Sequence, residues 1–143
     1  MIDAALVDRK ALLITRDLAD LAPLARKPLA AYLASPVDEL VAERLLERLI
    51  GRMIDINYHL LTETGHAPPA DYYASFTLLS GLGVYDAEFG QRIAACTGLR
   101  NRIVHEYDEI DPHRVHEAIE AALRDVAAYL RAVQEYVKRA TAR

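Results

Sequence analysis

Residues 111–137 read DPHRVHEAIEAALRDVAAYLRAVQEYV, and this stretch decides the fold class. Its large apolar residues recur at steps of three and four, as on one face of an α-helix: Val115, Ile119, Leu123, Val126, Leu130, Val133 and Val137. Asp111 before Pro112 marks the start, because aspartate caps helices and proline is tolerated best at the first helical position. The sequence therefore predicts a long amphipathic helix here.

The rest of the chain shows the same helical spacing. Further helices are predicted over residues 4–22, 29–33, 35–64, 68–81 and 86–104. Pro23 and Pro28 are expected to interrupt the chain between the first helix and the short one. No stretch alternates with period two over the length of a strand. The predicted fold class is all-α, an up-and-down bundle of four main helices plus a short helix in one domain over residues 1–143.

Composition limits the class of protein further. A chain of 143 residues, 52% of them hydrophobic, is long enough for its own core, and the single Cys96 cannot form an internal disulfide. The N-terminal residues contain neither a signal-peptide core nor a spanning segment, so a cytoplasmic protein without a membrane partner is expected. The net charge of −4 argues against bulk coating of nucleic acid, so no DNA partner is expected and any RNA contact must be local.

One segment carries candidate chemistry. Residues 99–112 read LRNRIVHEYDEIDP and place Arg100, Asn101, His105 and Tyr107 just before the last helix. Cleavage of RNA by transesterification needs proton transfers and charge stabilisation at phosphorus. Histidine titrates near neutrality and suits the proton transfers of His105, whereas the permanent charge of Arg100 suits a phosphate. Asn101 could orient the imidazole or the scissile group, and this scheme requires no metal or other cofactor.

Helix geometry leaves the arrangement of this segment open. On an ideal helix Arg100 and His105 project roughly 140° apart, whereas Tyr107 lies only about 20° from Arg100. Either the helix unwinds after Val104, or two copies of the segment meet across a two-fold axis. Arg100 could instead pair with Glu106 or Asp108, and His105 could simply interact with the helix dipole.

The string RNRIVHEY, residues 100–107, closely resembles the signature of HEPN domains, and specifically of HepT-like ribonuclease toxins. The resemblance extends over residues 43–65 and 69–86 and on through 109–111. It implies a homodimer whose two motifs face a shared cleft and cleave RNA to 2′,3′-cyclic phosphate and 5′-hydroxyl ends. It also implies a cognate minimal nucleotidyltransferase antitoxin that transfers AMP to Tyr107, which would block an anionic substrate.

A polar stripe on the second long helix offers supporting residues. Arg48, Arg52, Asp55 and His59 follow at spacings of four, three and four, which places them on one face. The stripe could be a solvated face of ion pairs. Asp55 and His59 match polar positions in HepT-like sequences, and the resemblance therefore makes them candidates for residues that support the site.

Several other residues have simpler interpretations. His113 and His116 lie one turn apart but lack a third convergent ligand, so they are interpreted as surface residues and no metal site is predicted. Roles as core and helix-packing aromatics are expected for Tyr72, Tyr73 and Phe76. A buried, small and apolar role is expected for Cys96, and core positions for Ile103 and Val104.

Three functions compete for this pattern. The first is a metal-independent endoribonuclease toxin of the HepT type. The second is a non-catalytic accessory subunit that binds nucleotide or presents substrate to a nucleotidyltransferase, but it would not need both Arg100 and His105. The third, a structural helical adaptor, leaves the string RNRIVHEY unexplained.

Overall fold

Side-chain caps start five helices of the computed structural model, which describes residues 1–142. The caps Asp3, Ser35, Asp71, Asp86 and Asp111 each accept a hydrogen bond from a backbone N–H two or three residues further on. Their donor–acceptor distances lie between 2.7 and 3.2 Å. Because these caps satisfy amides that the helix cannot, they fix where the elements begin.

Helices account for all the regular structure in the described residues. They are α1 (Ala4–Arg26), α2 (Leu29–Leu33), α3 (Pro36–Glu63), α4 (Tyr72–Gly81), α5 (Ala87–Ala94), α6 (Cys96–His105), a 3₁₀ turn (Tyr107–Glu109) and α7 (Pro112–Thr141). The predicted all-α class is confirmed. As predicted, Gly65 follows the end of α3, and its φ of 90° is a conformation that glycine adopts without strain.

The long helix α3 lies at the centre of the packing. Helices α1 and α7 pack on each other and on α3, while α4 and α6 contact α3 as well. The core between them contains fully buried side chains such as Ile14 of α1, Leu49 and Met53 of α3, and Val133 of α7. None of the helices within residues 1–142 has the length and apolar character needed to span a membrane.

The first helix runs past Pro23, where the sequence predicted an interruption. Proline lacks the N–H that would bond the carbonyl of Ala19, but Ala19 is exposed and its carbonyl can bond water. The helix ends at Arg26, and Pro28 then precedes α2. The predicted end at residue 22 was wrong because solvent exposure makes the missing hydrogen bond tolerable.

The predicted helix over residues 86–104 is divided into α5 and α6 at Ala95. The Thr97 hydroxyl donates to the carbonyl of Ala94 at 2.8 Å, and the Gly98 N–H donates to the carbonyl of Ala95 at 3.2 Å. The Gly98 bond joins backbone groups three residues apart, as in a 3₁₀ turn, so it tightens the backbone here. The break makes α6 a separate short helix that carries most of the RNRIVHEY string.

A buried polar network joins α3, α4 and α7. The Tyr129 hydroxyl donates to Oδ1 of Asn57 at 2.6 Å and contacts the carbonyl of Met53 at 3.1 Å. Nδ2 of Asn57 donates to Oγ of Ser75 at 3.1 Å, and that hydroxyl donates to the carbonyl of Tyr72 at 2.6 Å. Asn57 and Ser75 are fully buried, so these bonds replace solvent and anchor the first turn of α4 to the core.

Replacing Asn57 with alanine is expected to lower the free energy of unfolding by roughly 1–3 kcal/mol. The change removes the donor to Ser75 and the preferred acceptor of Tyr129, and it leaves a small cavity. Urea titration followed by circular dichroism measures the loss. The exposed Gln91→Ala provides the control and should stay within about 0.5 kcal/mol of the parent. Equal stability of both variants would contradict the anchoring role.

Candidate active site

The end of α6 presents the polar residues of the motif to one groove. Helix α6 ends at His105, because Glu106 leaves the helical conformation with φ −128° and ψ 37°. A groove of about 640 Å³ lies beside this helix end. It is lined by Tyr58, Ala70, Asp71, Tyr72, Tyr73, Thr97, Arg100, Asn101 and His105. Arg100, Asn101 and His105 therefore meet at one site within a single chain.

Arg100 and His105 reach the same groove within one chain, although the sequence predicted that they point in different directions. An ideal helix separates Arg100 and His105 by roughly 140°. In the structure the helix ends at His105, and both Arg100 and His105 line the same groove. The angular mismatch therefore does not by itself require a second copy of the chain.

Arg100 is held by an aromatic ring. Its Cζ atom lies 5.1 Å from the centroid of the Tyr72 ring, within the range of a cation–π contact. Its Nη1 donates to Oδ1 of Asn101 at 3.3 Å, and its Nε is buried without a hydrogen-bond partner. No ion pair joins Arg100 to Glu106 or Asp108 in the described structure. The guanidinium therefore lies against the Tyr72 ring, and no carboxylate pairs with it within the described residues.

The sequence analysis assigned the aromatic wall of the groove to the core and to helix packing. Phe76 is fully buried as predicted, but Tyr72 and Tyr73 are 39% and 46% exposed, so their core assignment was wrong. The helix-packing role holds for Tyr72, whose ring contacts Tyr58 of α3. Tyr72 and Tyr73 occupy the first turn of α4, whose buried side begins at Ser75. The sequence analysis placed a helix start near Asp71, but it had no signal for the side of α4 on which the two rings lie.

Tyr58 is another groove residue that the sequence analysis missed. Its ring meets the Tyr72 ring edge to face, with 6.3 Å between centroids. Burial, reinforced by Tyr72 and Asp71, raises the pKa of Tyr58 above its ordinary value. The hydroxyl therefore stays protonated at neutral pH and adds no negative charge that would repel a phosphate.

His105 and Tyr107 differ in their relation to the groove. His105 is exposed at its edge, where a substrate can reach the imidazole. Tyr107 belongs to the 3₁₀ turn, is 68% exposed and does not line the groove. The predicted common face of Tyr107 and Arg100 was wrong, because the helix ends before residue 107.

The polar stripe of α3 faces α1. Arg48 and Arg52 both bind the buried Asp17, with distances of 2.5 and 2.8 Å. Asp55 binds Lys10 at 2.8 Å, and the Nε2 atom of His59 accepts the Asp3 N–H at 2.9 Å. Neither Asp55 nor His59 lines the groove with His105, although Asp55 shares an adjoining cleft with Arg100.

The remaining candidates lie elsewhere. His116 packs on Tyr32, with 4.8 Å between the ring centroids, and His113 is exposed. Within residues 1–142 no group of three His, Cys, Asp or Glu side chains is arranged to hold a metal ion. Cys96 is half-buried against the core, and burial raises the pKa of its thiol to about 12, so the reactive thiolate is scarce at neutral pH. Ile103 is buried as predicted, whereas Val104 is only half-buried.

Comparison with known proteins finds sequences similar to this chain. The sequence model of the family described as ribonuclease HepT-like matches residues 14–133. The tRNA nuclease HepT of Aphanizomenon flos-aquae is 35% identical over 136 residues, which cover 95% of this chain and 92% of that protein.

Two solved structures are similar in fold. The cytosolic protein YutE of Bacillus subtilis aligns with a TM-score of 0.86 at 16% identity, over 98% of this chain and 94% of that chain. A tri-AMPylated HEPN toxin of Shewanella oneidensis, in complex with an MNT antitoxin, aligns with a TM-score of 0.83 at 21% identity, over 94% and 99% of the two chains.

The fold is thus the HEPN-like helical bundle, and the enzyme class is endoribonuclease. The chain belongs to the HepT-like ribonuclease family.

Proposed function

We propose that this protein is the toxin of a HEPN and nucleotidyltransferase toxin–antitoxin pair, and that it cleaves RNA by internal transesterification without a metal ion. The observation that carries the proposal is the shared groove of Arg100 and His105, next to a wall of tyrosines. A transfer RNA is the first substrate to examine, since a relative with 35% identity is named as a tRNA nuclease.

The proposed reaction assigns one task to each motif residue. His105 removes the proton from a 2′-hydroxyl, and the freed oxygen attacks the adjacent phosphorus. Arg100 stabilises the charge that develops on the phosphate oxygens. The bond from phosphorus to the 5′-oxygen then breaks. The imidazolium form of His105 from the second copy in the proposed dimer donates a proton to that leaving oxygen. The products are a 2′,3′-cyclic phosphate and a 5′-hydroxyl.

The supporting assignments follow from the contacts around these two residues. Asn101 accepts a hydrogen bond from Arg100 and lines the groove, so we assign it to orientation of the guanidinium. Asp55 and His59 act only indirectly in this proposal, by fixing α3 against α1 through Lys10 and Asp3.

Purified protein is expected to cleave tRNA equally well in buffer containing EDTA and in buffer containing magnesium. In the proposed mechanism the imidazole of His105 transfers protons and the guanidinium of Arg100 stabilises charge. A metal-bound water and a metal ion fill these two roles in metal-dependent nucleases. Electrophoresis measures the rate, and phosphatase treatment followed by end labelling distinguishes a cyclic phosphate from a 3′-monophosphate. Loss of cleavage on chelation, or 5′-phosphate products, would contradict the mechanism. Binding of RNA without any cleavage would favour the accessory-subunit function.

A homodimer is also part of the proposal. A second motif across a two-fold axis would supply a second imidazole, so that one histidine accepts a proton while the other donates one. The exposed position of His105 at the groove edge allows such an approach. Sedimentation equilibrium at tens of micromolar is expected to give twice the chain mass of 16.0 kDa. A monomer at that concentration would exclude a composite site.

Control of the proposed toxin is assigned to Tyr107. Its hydroxyl is accessible to a partner enzyme because the side chain is 68% exposed. A modified HEPN toxin of similar fold in complex with its MNT antitoxin supports AMP transfer as the chemistry. The cognate partner is accordingly a minimal nucleotidyltransferase.

A further inference from the structure

A second cleft adjoins the groove and shares one wall with it. This basic cleft has a volume of about 320 Å³. It is lined by Arg44, Glu47, Arg48, Gly51, Arg52, Ile54, Asp55, Tyr72 and Arg100. Tyr72 and Arg100 line both spaces, so a chain lying in the groove can continue past their stacked side chains into the cleft.

The cleft concentrates positive charge in an acidic protein. Four arginines line it, whereas the whole chain carries a net charge of −4. Arg48 and Arg52 share a single carboxylate, Asp17, whose side chain is only 2% exposed. The carboxylate of Asp55 is already bound to Lys10. Glu47 pairs with Arg44, and Asp20 lies near Arg48. The four arginines and Lys10 therefore exceed the carboxylates Asp17, Asp20, Glu47 and Asp55 by one positive charge, which favours an anion.

The arginines of the cleft are unequally tied to the fold. Arg48 and Arg52 hold Asp17 at the contact of α1 with α3, so part of their role is structural. Arg44 has a side chain that is 65% exposed and a single partner, Glu47, one turn further on the same helix at 3.2 Å. The floor between them is open, since a Cβ at Gly51 would have no atom within 4 Å outside its own helix. Arg44 can therefore turn toward a ligand without disturbing the core.

We propose that the basic cleft binds a phosphodiester of single-stranded RNA that flanks the scissile one. This rests on the proposed cleavage of RNA in the groove. A guanidinium pairs with two phosphate oxygens at once, and aromatic faces accept stacked bases of any sequence. Tyr73, 46% exposed at the groove, offers such a face beside the path of the chain. The cleft then strengthens binding of substrates that extend beyond the cut.

Binding of short oligonucleotides tests this proposal directly. The probes are fluorescein-labelled oligouridylates of two and six nucleotides, and fluorescence anisotropy in a His105→Ala background measures affinity without cleavage. The hexanucleotide is expected to bind more tightly, and Arg44→Ala is expected to lower the ratio of hexanucleotide to dinucleotide affinity roughly 5-fold. The salt dependence of hexanucleotide binding should decrease by about 0.7 in slope, the value for one phosphate contact on a single strand. Arg44→Lys should keep part of the preference for the hexanucleotide over the dinucleotide.

Arg124→Ala is the matched control. Arg124 is 70% exposed, pairs with a carboxylate on its own helix and lines neither the groove nor the cleft. Its removal changes the net charge of the protein by the same amount, and the affinity ratio should not change. Equal effects of both variants, or an unchanged ratio and slope in Arg44→Ala, would overturn the cleft assignment.

The outcomes separate the cleft from the cleavage chemistry. Binding that depends on Arg44, in a parent protein that cuts no RNA, would refute the proposed function and leave the cleft in place. If the protein cleaves RNA but the ratio of hexanucleotide to dinucleotide affinity does not depend on Arg44, only the proposed binding in the basic cleft is refuted. Circular dichroism of each variant confirms that the helical fold is retained.

Discussion

Replacing His105 with alanine is expected to slow RNA cleavage by roughly 10²–10⁴-fold, the usual contribution of a positioned acid or base. The side chain is exposed at the end of α6, so its removal should leave the fold and the melting temperature nearly unchanged. Single-turnover cleavage of tRNA measures the chemical step, and anisotropy with a non-cleavable RNA measures binding. The loss should lie in the rate and not in the affinity.

A matched histidine separates catalysis from general effects of charge. His113 is also exposed, lies at the start of α7 and does not line the groove. His113→Ala should cleave RNA at the parental rate. If His105→Ala retains more than a tenth of the activity, the proton transfers belong to another group and the mechanism fails.

Modification of Tyr107 is expected to abolish cleavage. The exposed phenol lies two residues beyond His105, on the turn that follows the motif helix. An adenylate attached there adds a negative charge and a bulky nucleoside at the His105 end of the groove. Tyr107 does not share a face with Arg100, so the adenylate inhibits first by blocking access of RNA to the groove. Its negative charge competes with the RNA phosphate only if the adenylate reaches the guanidinium of Arg100.

Intact-mass analysis tests this switch. Incubation with the cognate nucleotidyltransferase, ATP and magnesium should add whole AMP units, and peptide mapping should place them on Tyr107. Tyr107→Phe should accept none at this position. The exposed Tyr72 and Tyr73 are internal controls, whereas the Tyr85 hydroxyl is engaged by the carbonyl of Phe76 at 2.7 Å. A label on Tyr72 or Tyr73 with Tyr107 free, or unimpaired cleavage after labelling, would refute the switch.

Most helix starts were predictable because their signals are local. The helix predicted from residue 68 begins instead at Tyr72, because Asp71 is its cap. Ser35 with Pro36 and Asp111 with Pro112 each combine a side-chain acceptor with a pre-organised first residue, and the structure places helix starts at both pairs. The end of a helix was less predictable. Whether Pro23 stops a helix depends on what surrounds the carbonyl of Ala19, which no short sequence window contains.

The polar lining of the candidate groove was predictable from the sequence, whereas its aromatic walls were not. The motif located Arg100, Asn101 and His105, which line one groove. The contact of Arg100 with Tyr72 joins residues 28 positions apart on α6 and α4, and it depends on the buried network around Asn57. The spacing of Asp55 and His59 likewise predicted that they lie on one face of α3. Their partners, Lys10 of α1 and its cap Asp3, could be found only from the packing of the helices.

The stacking of Arg100 on Tyr72 has a further consequence for the energetics of RNA binding. An arginine side chain carries about 2 kcal/mol of rotamer entropy, which is lost when it is fixed on a ligand. Here the ring restricts the guanidinium in the free protein, and the packing of α4 holds the ring. Part of that entropy is therefore lost during folding and not during association. In the proposed mechanism the RNA phosphate therefore meets a pre-organised cation, and the same ionic contact yields tighter binding than a freely rotating arginine would give.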